Sequence, residues 1–279
     1  MTLCITLRLA DQSVLSISDS QLTLEADGTR WTNDHAVKIH YATQDFTIYA
    51  GPRFDVTFAV SGNLSLGLQS ILYVDACLKS ESGTWADAIV NIVKDKLWEF
   101  WAPAINRGIT YSIALHNHKG RARIFEWECE GNHVGASFSE VAEDQGLLFS
   151  VHGDRAPAIR QRILSEVSAC GYCEVDPQLA LAFASLRALQ AAIDDETSLY
   201  VGGQIQACLL KDYEAHVLVC EGLNRHLRSA FIESDEARSY GTLDLRHPWL
   251  DQSKSLAQLI EAYPTDRQLV RDPARPRLN

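Results

Sequence analysis

The second residue of the chain is the first one whose type could do chemistry. Met1 precedes Thr2, and threonine is small enough that removal of the initiator methionine is expected. The mature chain would then begin with a free threonine amine. A hydroxyl becomes a good nucleophile only when a base takes its proton, and an α-amine, with a reference pKa of about 8, suits that role. Thr2 can therefore carry both nucleophile and base.

Three further residues could complete a site of this kind. A hydroxyl nucleophile needs a carboxylate and a cation to orient it, and a backbone N–H to receive the negative charge that develops on the substrate oxygen. Asp19 closes a predicted strand that runs antiparallel to the strand beginning at Thr2. Lys38 is flanked by apolar residues, which would hold its ammonium against a carboxylate. Gly62 lies at a strand-to-helix turn, where an amide can point outward.

Hydrophobic periodicity predicts the elements that must position these residues. Apolar and polar residues alternate from Leu3 to Leu9, which is the period-two pattern of a half-buried strand. A second strand follows at Ser13–Ser18, so the two are expected to form a hairpin. Further strands are predicted at Ala36–His40, Phe46–Tyr49 and Asp55–Val60.

The period then changes to that of helices. Apolar spacing predicts one helix from Leu64, and a capping-box-like sequence begins another at Thr84. Two later helices are predicted, one around Ile163 and one from Asp176-Pro177, where an N-cap precedes proline. The remaining strands are predicted at Ile109–His116, Arg121–Cys129, Leu147–Val151, Ser198–Val201, Ile205–Leu210 and His216–Cys220.

This order of elements predicts an α+β fold. Strands, two helices, strands, two helices and strands fit antiparallel sheets layered between helix pairs, and they argue against alternating βαβ units. The simplest packing is a four-layer αββα sandwich over residues 1–220. Residues 221–279 are more polar and end in a sequence rich in proline and arginine, so we predict a partly ordered C-terminal extension there.

Composition excludes several classes of protein. With 46% hydrophobic residues in a chain of 279, disorder is excluded as the overall state. A net charge of -11 argues against nucleic acid and anionic membranes as partners, because neutralising phosphates needs clustered Lys and Arg. Neither secretion nor membrane insertion is expected. Seven scattered cysteines fit buried thiols in a reducing compartment, so a cytoplasmic location is expected.

No metal site and no cofactor are expected. Cys170 and Cys173 have the spacing of zinc ligands, but the sequence offers no second pair of ligands. The acidic residues 194–196 fit a solvated loop, and Gly202-Gly203 fits a tight hairpin turn better than a phosphate-binding loop.

Four short segments together resemble the opening of the proteasome β-subunit family. They are residues 2–6, 18–24, 36–39 and 58–63, which run TLCIT, SDSQLTL, AVKI and FAVSGN. The resemblance is strongest to the bacterial HslV-type proteases and covers about the first seventy residues well. The extra length and the Met-Thr-x-Cys start suit a diverged bacterial relative, of the Anbu type or the betaproteobacterial proteasome-homologue type. The implied fold is that of N-terminal nucleophile hydrolases.

The resemblance implies a role for each candidate residue. Thr2 would be the nucleophile, with its own amine as general base. Asp19 and Lys38 would be the supporting pair, and the amide of Gly62 would donate to the oxyanion.

Other positions of the family pattern fall on substrate-binding and supporting residues. Thr23 would contact the substrate backbone, and Val60 and Leu64 would line the pocket for the residue before the scissile bond, which predicts an apolar preference. The family's Gly-Ser-Gly, which supports the amine, aligns with residues 151–153, where the serine is absent. Ser150 or His152 would take its place.

One further departure concerns a loop. The stretch between Asp19 and Lys38 is longer than in HslV-type enzymes, so an enlarged loop is expected around residues 25–34.

The implied activity is that of a self-compartmentalising threonine endopeptidase that cleaves peptide bonds through an acyl-enzyme on Thr2. The resemblance implies stacked homo-oligomeric rings of six or seven subunits, peptide or unfolded protein as substrate, and an ATP-dependent unfoldase as partner. Two alternatives stay open. One is a catalytically inactive ring that serves as a scaffold or binding chamber, and the other is an amidase that acts on a small molecule.

Overall fold

Two antiparallel sheets, a separate hairpin and four helices make up the described part of the chain. The computed structural model describes residues 2–26, 29–33, 38–43, 54–80, 86–104, 108–117, 121–130, 136–170, 177–195, 197–203, 205–211, 214–221, 226–231 and 240–244.

The first sheet contains the chain's opening hairpin near its centre. Its strand order is β10 (Phe149–Gly153), β1 (Leu3–Arg8), β2 (Val14–Asp19), β11 (Ile205–Lys211), β12 (Glu214–Glu221), β13 (His226–Phe231) and β14 (Tyr240–Asp244). The predicted hairpin is confirmed, since Cys4 pairs with Ser18 in antiparallel register.

The second sheet has five strands. Their order is β5 (Ile39–Thr43), β6 (Phe54–Gly62), β7 (Gly108–Asn117), β8 (Arg123–Glu130) and β9 (Ser137–Glu140). A separate hairpin of β3 (Leu22–Ala26) and β4 (Thr29–Asn33) leaves the first sheet after β2. The expected enlarged loop around residues 25–34 therefore contains a β-hairpin.

Helix pairs cover the outer faces of the sheets. The helices are α1 (Leu64–Ser80), α2 (Ala86–Trp101), α3 (Ala156–Cys170) and α4 (Pro177–Ile193). One apolar cluster joins residues of β1, such as Leu3 and Ile5, to α4, and a second joins residues of β6, such as Phe58, to α1 and α2. The layers are thus helices, sheet, sheet and helices, as predicted. No helix among the described residues has the length and apolarity needed to cross a bilayer.

The faces where the two sheets meet carry many polar side chains. Ser16 on the first sheet and Thr57 on the second lie with their hydroxyl oxygens 3.3 Å apart, and Thr6 donates to Ser16 at 3.4 Å. Because the second sheet covers this polar face, every residue of β1 is buried. The prediction of a half-buried strand was therefore wrong for β1, since alternation also fits a strand buried on one polar and one apolar face.

Several predicted elements differ from the structure. Residues 198–201 were predicted as a strand but contain a bend at residues 199 and 200, and the short strand β9 was not predicted. Strands β13 and β14, which extend the first sheet, lie in the segment predicted as a partly ordered extension, and that prediction stays untested. The predicted strand Phe46–Tyr49 lies outside the described residues.

Candidate active site

The opening hairpin brings Thr2 against Asp19. Asp19 ends β2, and Thr2 immediately precedes β1, so antiparallel pairing places the two at the same end of the hairpin. The Oγ1 hydroxyl of Thr2 donates to Oδ1 of Asp19 at 2.9 Å, and the N–H of Leu3 donates to the same oxygen at 3.0 Å. Asp19 is completely buried. Its carboxylate therefore fixes the rotamer of the Thr2 hydroxyl.

Lys38 reaches the same pair from the second sheet. It lies just before β5, and its Nζ donates to Oδ2 of Asp19 at 2.9 Å. Nζ also donates to Oγ1 of Thr2 and to the carbonyl oxygen of Gln21. The hydroxyl oxygen of Thr2 thus lies between a carboxylate and an ammonium. Because both charges are buried, their effect on the hydroxyl is screened little by water.

Backbone N–H groups complete the environment of the Asp19 carboxylate. Oδ2 accepts from the N–H of Gln21 and from the N–H of Gly202, each at 3.2 Å. The N–H of Gln21 donates also to the carbonyl of Gly202 at 3.1 Å. A Cβ on residue 202 would lie 1.9 Å from Oε1 of Gln21, so glycine here leaves room for the end of that side chain.

The predicted strand-to-helix turn is present at Gly62. Strand β6 ends at this residue, whose φ is +110°, and a Cβ there would lie 2.1 Å from the carbonyl oxygen of Gly108. Asn63 accepts the N–H of Leu66 on its side chain at 3.2 Å and so caps α1. Gly62 is exposed, which leaves the turn open to a bound molecule.

Thr23, Val60 and Leu64 occupy different surroundings. The hydroxyl of Thr23 donates to the carbonyl of Leu199 at 3.3 Å and accepts from Nε2 of Gln21 at 3.5 Å. Val60 is 1% exposed and packs into the apolar cluster under α1, whereas Leu64 is half-buried at the edge of that cluster. Of the two predicted pocket residues, Leu64 is the one with accessible surface.

Ser150 and His152 lie on β10, and neither is paired with Thr2 in the register of β10 and β1. Ser150 is opposite Thr6 and donates to Glu126 at 2.5 Å. His152 is opposite Cys4 and buried, and its ring nitrogens have no hydrogen-bond partner among the described residues. Burial lowers the pKa of His152 to about 4, so the imidazole is neutral near pH 7.

Asp154, which immediately follows β10, contacts Thr2. Its backbone N–H donates to the carbonyl oxygen of Thr2 at 2.9 Å. The preceding Gly153 has a φ of +106°, and a Cβ on it would lie 1.6 Å from the same oxygen. The assignment of amine support to Ser150 or His152 stays a prediction, and Gly153 and Asp154 are the residues at this strand end that lie against Thr2.

The structure brings together residues that sequence reasoning missed. Gln21, Asp154 and Gly202 all contact Thr2 or Asp19 through their backbone amides. Amide contacts leave no side-chain signature. Gly202 offered the clearest signal, because a glycine pair just before a strand marks a close approach of backbone as well as a turn.

The described residues contain no cluster of three or more His, Cys, Asp or Glu that could hold a metal ion. Cys173, one member of the zinc-like pair, lies outside the described residues. The groups that the site brings together are the Thr2 hydroxyl, the Asp19 carboxylate, the Lys38 ammonium and backbone amides.

Comparison with solved structures identifies the same fold elsewhere. No family model and no curated protein matches the sequence. The Gly-1 mutant of Anbu from Hyphomicrobium sp. strain MC1 is 16% identical, with a TM-score of 0.56 over 95% of this chain and 98% of that chain. Anbu itself from the same strain is also 16% identical, with a TM-score of 0.54 over 94% and 98%. At this identity the likeness shows the fold.

Proposed function

We propose that this chain, which has the fold of Anbu, is an N-terminal nucleophile hydrolase of the threonine endopeptidase type. The observation that carries the proposal is the buried contact of the Thr2 hydroxyl with Asp19 and Lys38. A structural threonine does not need a buried ion pair, which is costly to desolvate. A nucleophile does, because the ammonium stabilises the alkoxide character of Oγ1.

Acylation begins once Met1 is removed. The freed α-amine of Thr2 takes the hydroxyl proton as Oγ1 attacks the scissile carbonyl carbon, and the carbonyl π electrons move to the oxygen. The N–H of Gly62 donates to this oxyanion. The tetrahedral intermediate then collapses, the C–N bond breaks, and the ammonium of Thr2 returns the proton to the leaving amine. An ester between Oγ1 and the acyl part of the substrate remains.

Deacylation uses water and the same groups. The α-amine takes a proton from water as the water oxygen attacks the ester carbon, and the oxyanion again accepts from Gly62. Collapse breaks the bond to Oγ1, which recovers its proton. Lys38 and Asp19 keep their contacts throughout, so they stabilise charge without being consumed.

The substrate is proposed to be a peptide or an unfolded protein. Thr23 would pair with the substrate backbone, and Leu64 would contact an apolar side chain before the scissile bond. Val60 is buried in the core, so we propose that it supports the pocket from beneath without contacting the substrate.

We also propose that the chain acts as stacked homo-oligomeric rings in the cytoplasm, with an ATP-dependent unfoldase as partner. Repetition of a net charge of -11 around a ring would give the chamber an acidic character. Such a chamber would favour neutral and basic peptides. Particle averages from electron microscopy would test the rings.

The experiment that tests the activity uses the full chain and two variants. Wild type, Thr2→Ser and Thr2→Ala all place a small residue after Met1, so N-terminal sequencing should show methionine removal in each. A peptide epoxyketone should add one molecule to wild type and Thr2→Ser, and none to Thr2→Ala. Peptide hydrolysis should follow the same order.

Each other outcome selects an alternative. Retained Met1, or no adduct on Thr2 in assembled particles, would leave the inactive scaffold or binding chamber. An adduct with turnover of small amides and none of peptides would leave the small-molecule amidase.

A further inference from the structure

The proposed site is divided between the two sheets. Thr2 immediately precedes β1 and Asp19 ends β2 of the first sheet, whereas Lys38 immediately precedes β5 and Gly62 ends β6 of the second. A small shift of one sheet against the other would withdraw the ammonium of Lys38 from Thr2. The reactive arrangement therefore needs contacts that fix the spacing of the sheets at this end.

One such contact is made by Gln206 of β11. Its Oε1 accepts the backbone N–H of Lys38 at 3.0 Å, which joins the first sheet to the residue that carries the ammonium. Gln206 lies opposite Ser18 in the antiparallel register of β11 and β2, one residue before Asp19. The side chain thus reaches Lys38 from a strand that also flanks the carboxylate.

Val60 continues the connection on the second sheet. The carbonyl oxygen of Lys38 accepts the N–H of Val60 at 3.0 Å. Val60 precedes Gly62 by two residues on β6, so the peptide that holds Lys38 also lies beside the strand end that carries the proposed oxyanion donor.

Cys4 of β1, in the first sheet, makes a second contact with this part of the second sheet. Its Sγ donates to the carbonyl oxygen of Val60 at 3.5 Å. Cys4 is completely buried, and burial raises the pKa of its thiol, so the sulfur keeps the proton that it donates. Cys4 and Gln206 lie on either side of Ser18 in the register of the first sheet.

We infer that Gln206 and Cys4 are positioning residues, which hold Lys38 and Val60 against the first sheet and so set the ammonium on Thr2. We call the four residues Gln206, Lys38, Val60 and Cys4 the inter-sheet bridge. The inference rests on the proposed function for its kinetic consequence, but the geometry that it predicts can be measured without any activity.

The kinetic test compares three glutamine variants of the full chain. Gln206→Leu removes the acceptor, Gln206→Glu keeps an Oε acceptor at the same reach but adds a negative charge, and Gln161→Leu makes the same change as the first on the exposed face of α3. We expect Gln206→Leu to lower kcat for peptide hydrolysis at least about tenfold with little change in KM, because catalytic positioning is worth factors of this size. The acid limb of the pH profile of kcat for Gln206→Leu should move to higher pH, because a cation near the Thr2 α-amine favours its neutral form and this variant moves the cation away. Gln161→Leu should stay within about twofold of wild type, and Gln206→Glu should have a kcat closer to wild type than Gln206→Leu has.

The structural test measures the distance from Nζ of Lys38 to Oδ2 of Asp19, which is 2.9 Å in the intact bridge. A crystal structure of Gln206→Leu should show this distance beyond about 4 Å, the limit of an ion pair. A Gln206→Leu protein with the wild-type distance and the wild-type pH profile overturns the inference.

The inference stays testable if Gln206→Leu does not fold or if the wild type has no peptidase activity. If Gln206→Leu does not fold, Cys4→Ala tests the bridge from its other end, because it removes a weak donor with little change of volume, and Cys4→Ser restores a donor. If the wild type hydrolyses no peptide and Thr2 takes no adduct, the proposed function fails, and the Lys38–Asp19 distance in the variants still decides whether the bridge positions Lys38.

Discussion

Nζ of Lys38 lies 2.9 Å from Oδ2 of Asp19, although the two residues belong to different sheets. Both side chains are almost fully buried. Their contact therefore couples the docking of the two sheets to the formation of the site.

Removal of the carboxylate should be strongly destabilising. Asp19→Ala leaves the ammonium of Lys38 buried without its anion, which typically costs about 3–5 kcal/mol in the free energy of unfolding. Denaturant unfolding measures this cost. As a control, Asp75→Ala removes the partner of the exposed Lys79 and should cost less than about 1 kcal/mol. Equal effects of the two substitutions would contradict the buried pair.

A methyl group at Gly62 should abolish activity. Gly62 has a φ of +110° and no room for a Cβ against the carbonyl of Gly108. Gly62→Ala should therefore lower the free energy of unfolding by about 1–3 kcal/mol, and it should displace the proposed oxyanion donor. Gly108→Ala places its methyl in open space and should retain stability and turnover. Thermal unfolding and peptide hydrolysis measured on both variants would show whether only Gly62→Ala loses them.

The buried His152 should make the protein sensitive to acid. Its pKa is lowered to about 4 by burial, whereas an unfolded histidine titrates near pH 6.5, so the unfolded state binds more protons between these values. Stability contributed by the neutral imidazole is full above about pH 6.5 and is lost as the pH falls toward 4, by about 3 kcal/mol in total. Denaturant midpoints from pH 7.5 to 4.5 should fall less in His152→Leu than in wild type. Parallel curves would show that His152 does not titrate in this way.

A methyl group at Gly202 should act through its neighbour. Its Cβ would lie 1.9 Å from Oε1 of Gln21, so the Gln21 side chain must move and give up its bond to Thr23. Since Thr23 is the proposed contact for the substrate backbone, Gly202→Ala should raise KM several-fold, with a smaller effect on kcat. Gln21→Ala should reproduce the rise in KM. An unchanged KM in both variants would exclude this route to the substrate.

Much of the fold could be predicted because its signals are local. The alternation from Leu3 and the helical spacing from Leu64 each lie within a few residues, and both elements are present. The strand at 198–201 was wrong for a local reason as well. The N–H of Ser198 donates to the carbonyl of Asp195, and the N–H of Val201 donates to the hydroxyl of Ser198, and these contacts favour a bent over an extended chain.

The site could be predicted only in part, because side chains carry sequence signals and amides do not. Asp19 and Lys38 were found from their types and their flanking residues. Asp154 was missed, since its contribution is a backbone N–H to the carbonyl of Thr2. Gln206 was missed because its partner is the amide of Lys38, 168 positions away.

The contact between Gly202 and Asp19 joins positions 183 residues apart, which leave the ribosome at very different times. A nascent chain that has reached Gly62 already contains Thr2, Asp19 and Lys38, but β11, the strand beside β2, has not yet been made. At that point the carboxylate of Asp19 still lacks the N–H of Gly202, and β2 still lacks its neighbour β11. The topology thus delays completion of the hydrogen bonds around Asp19 until most of the chain is synthesised.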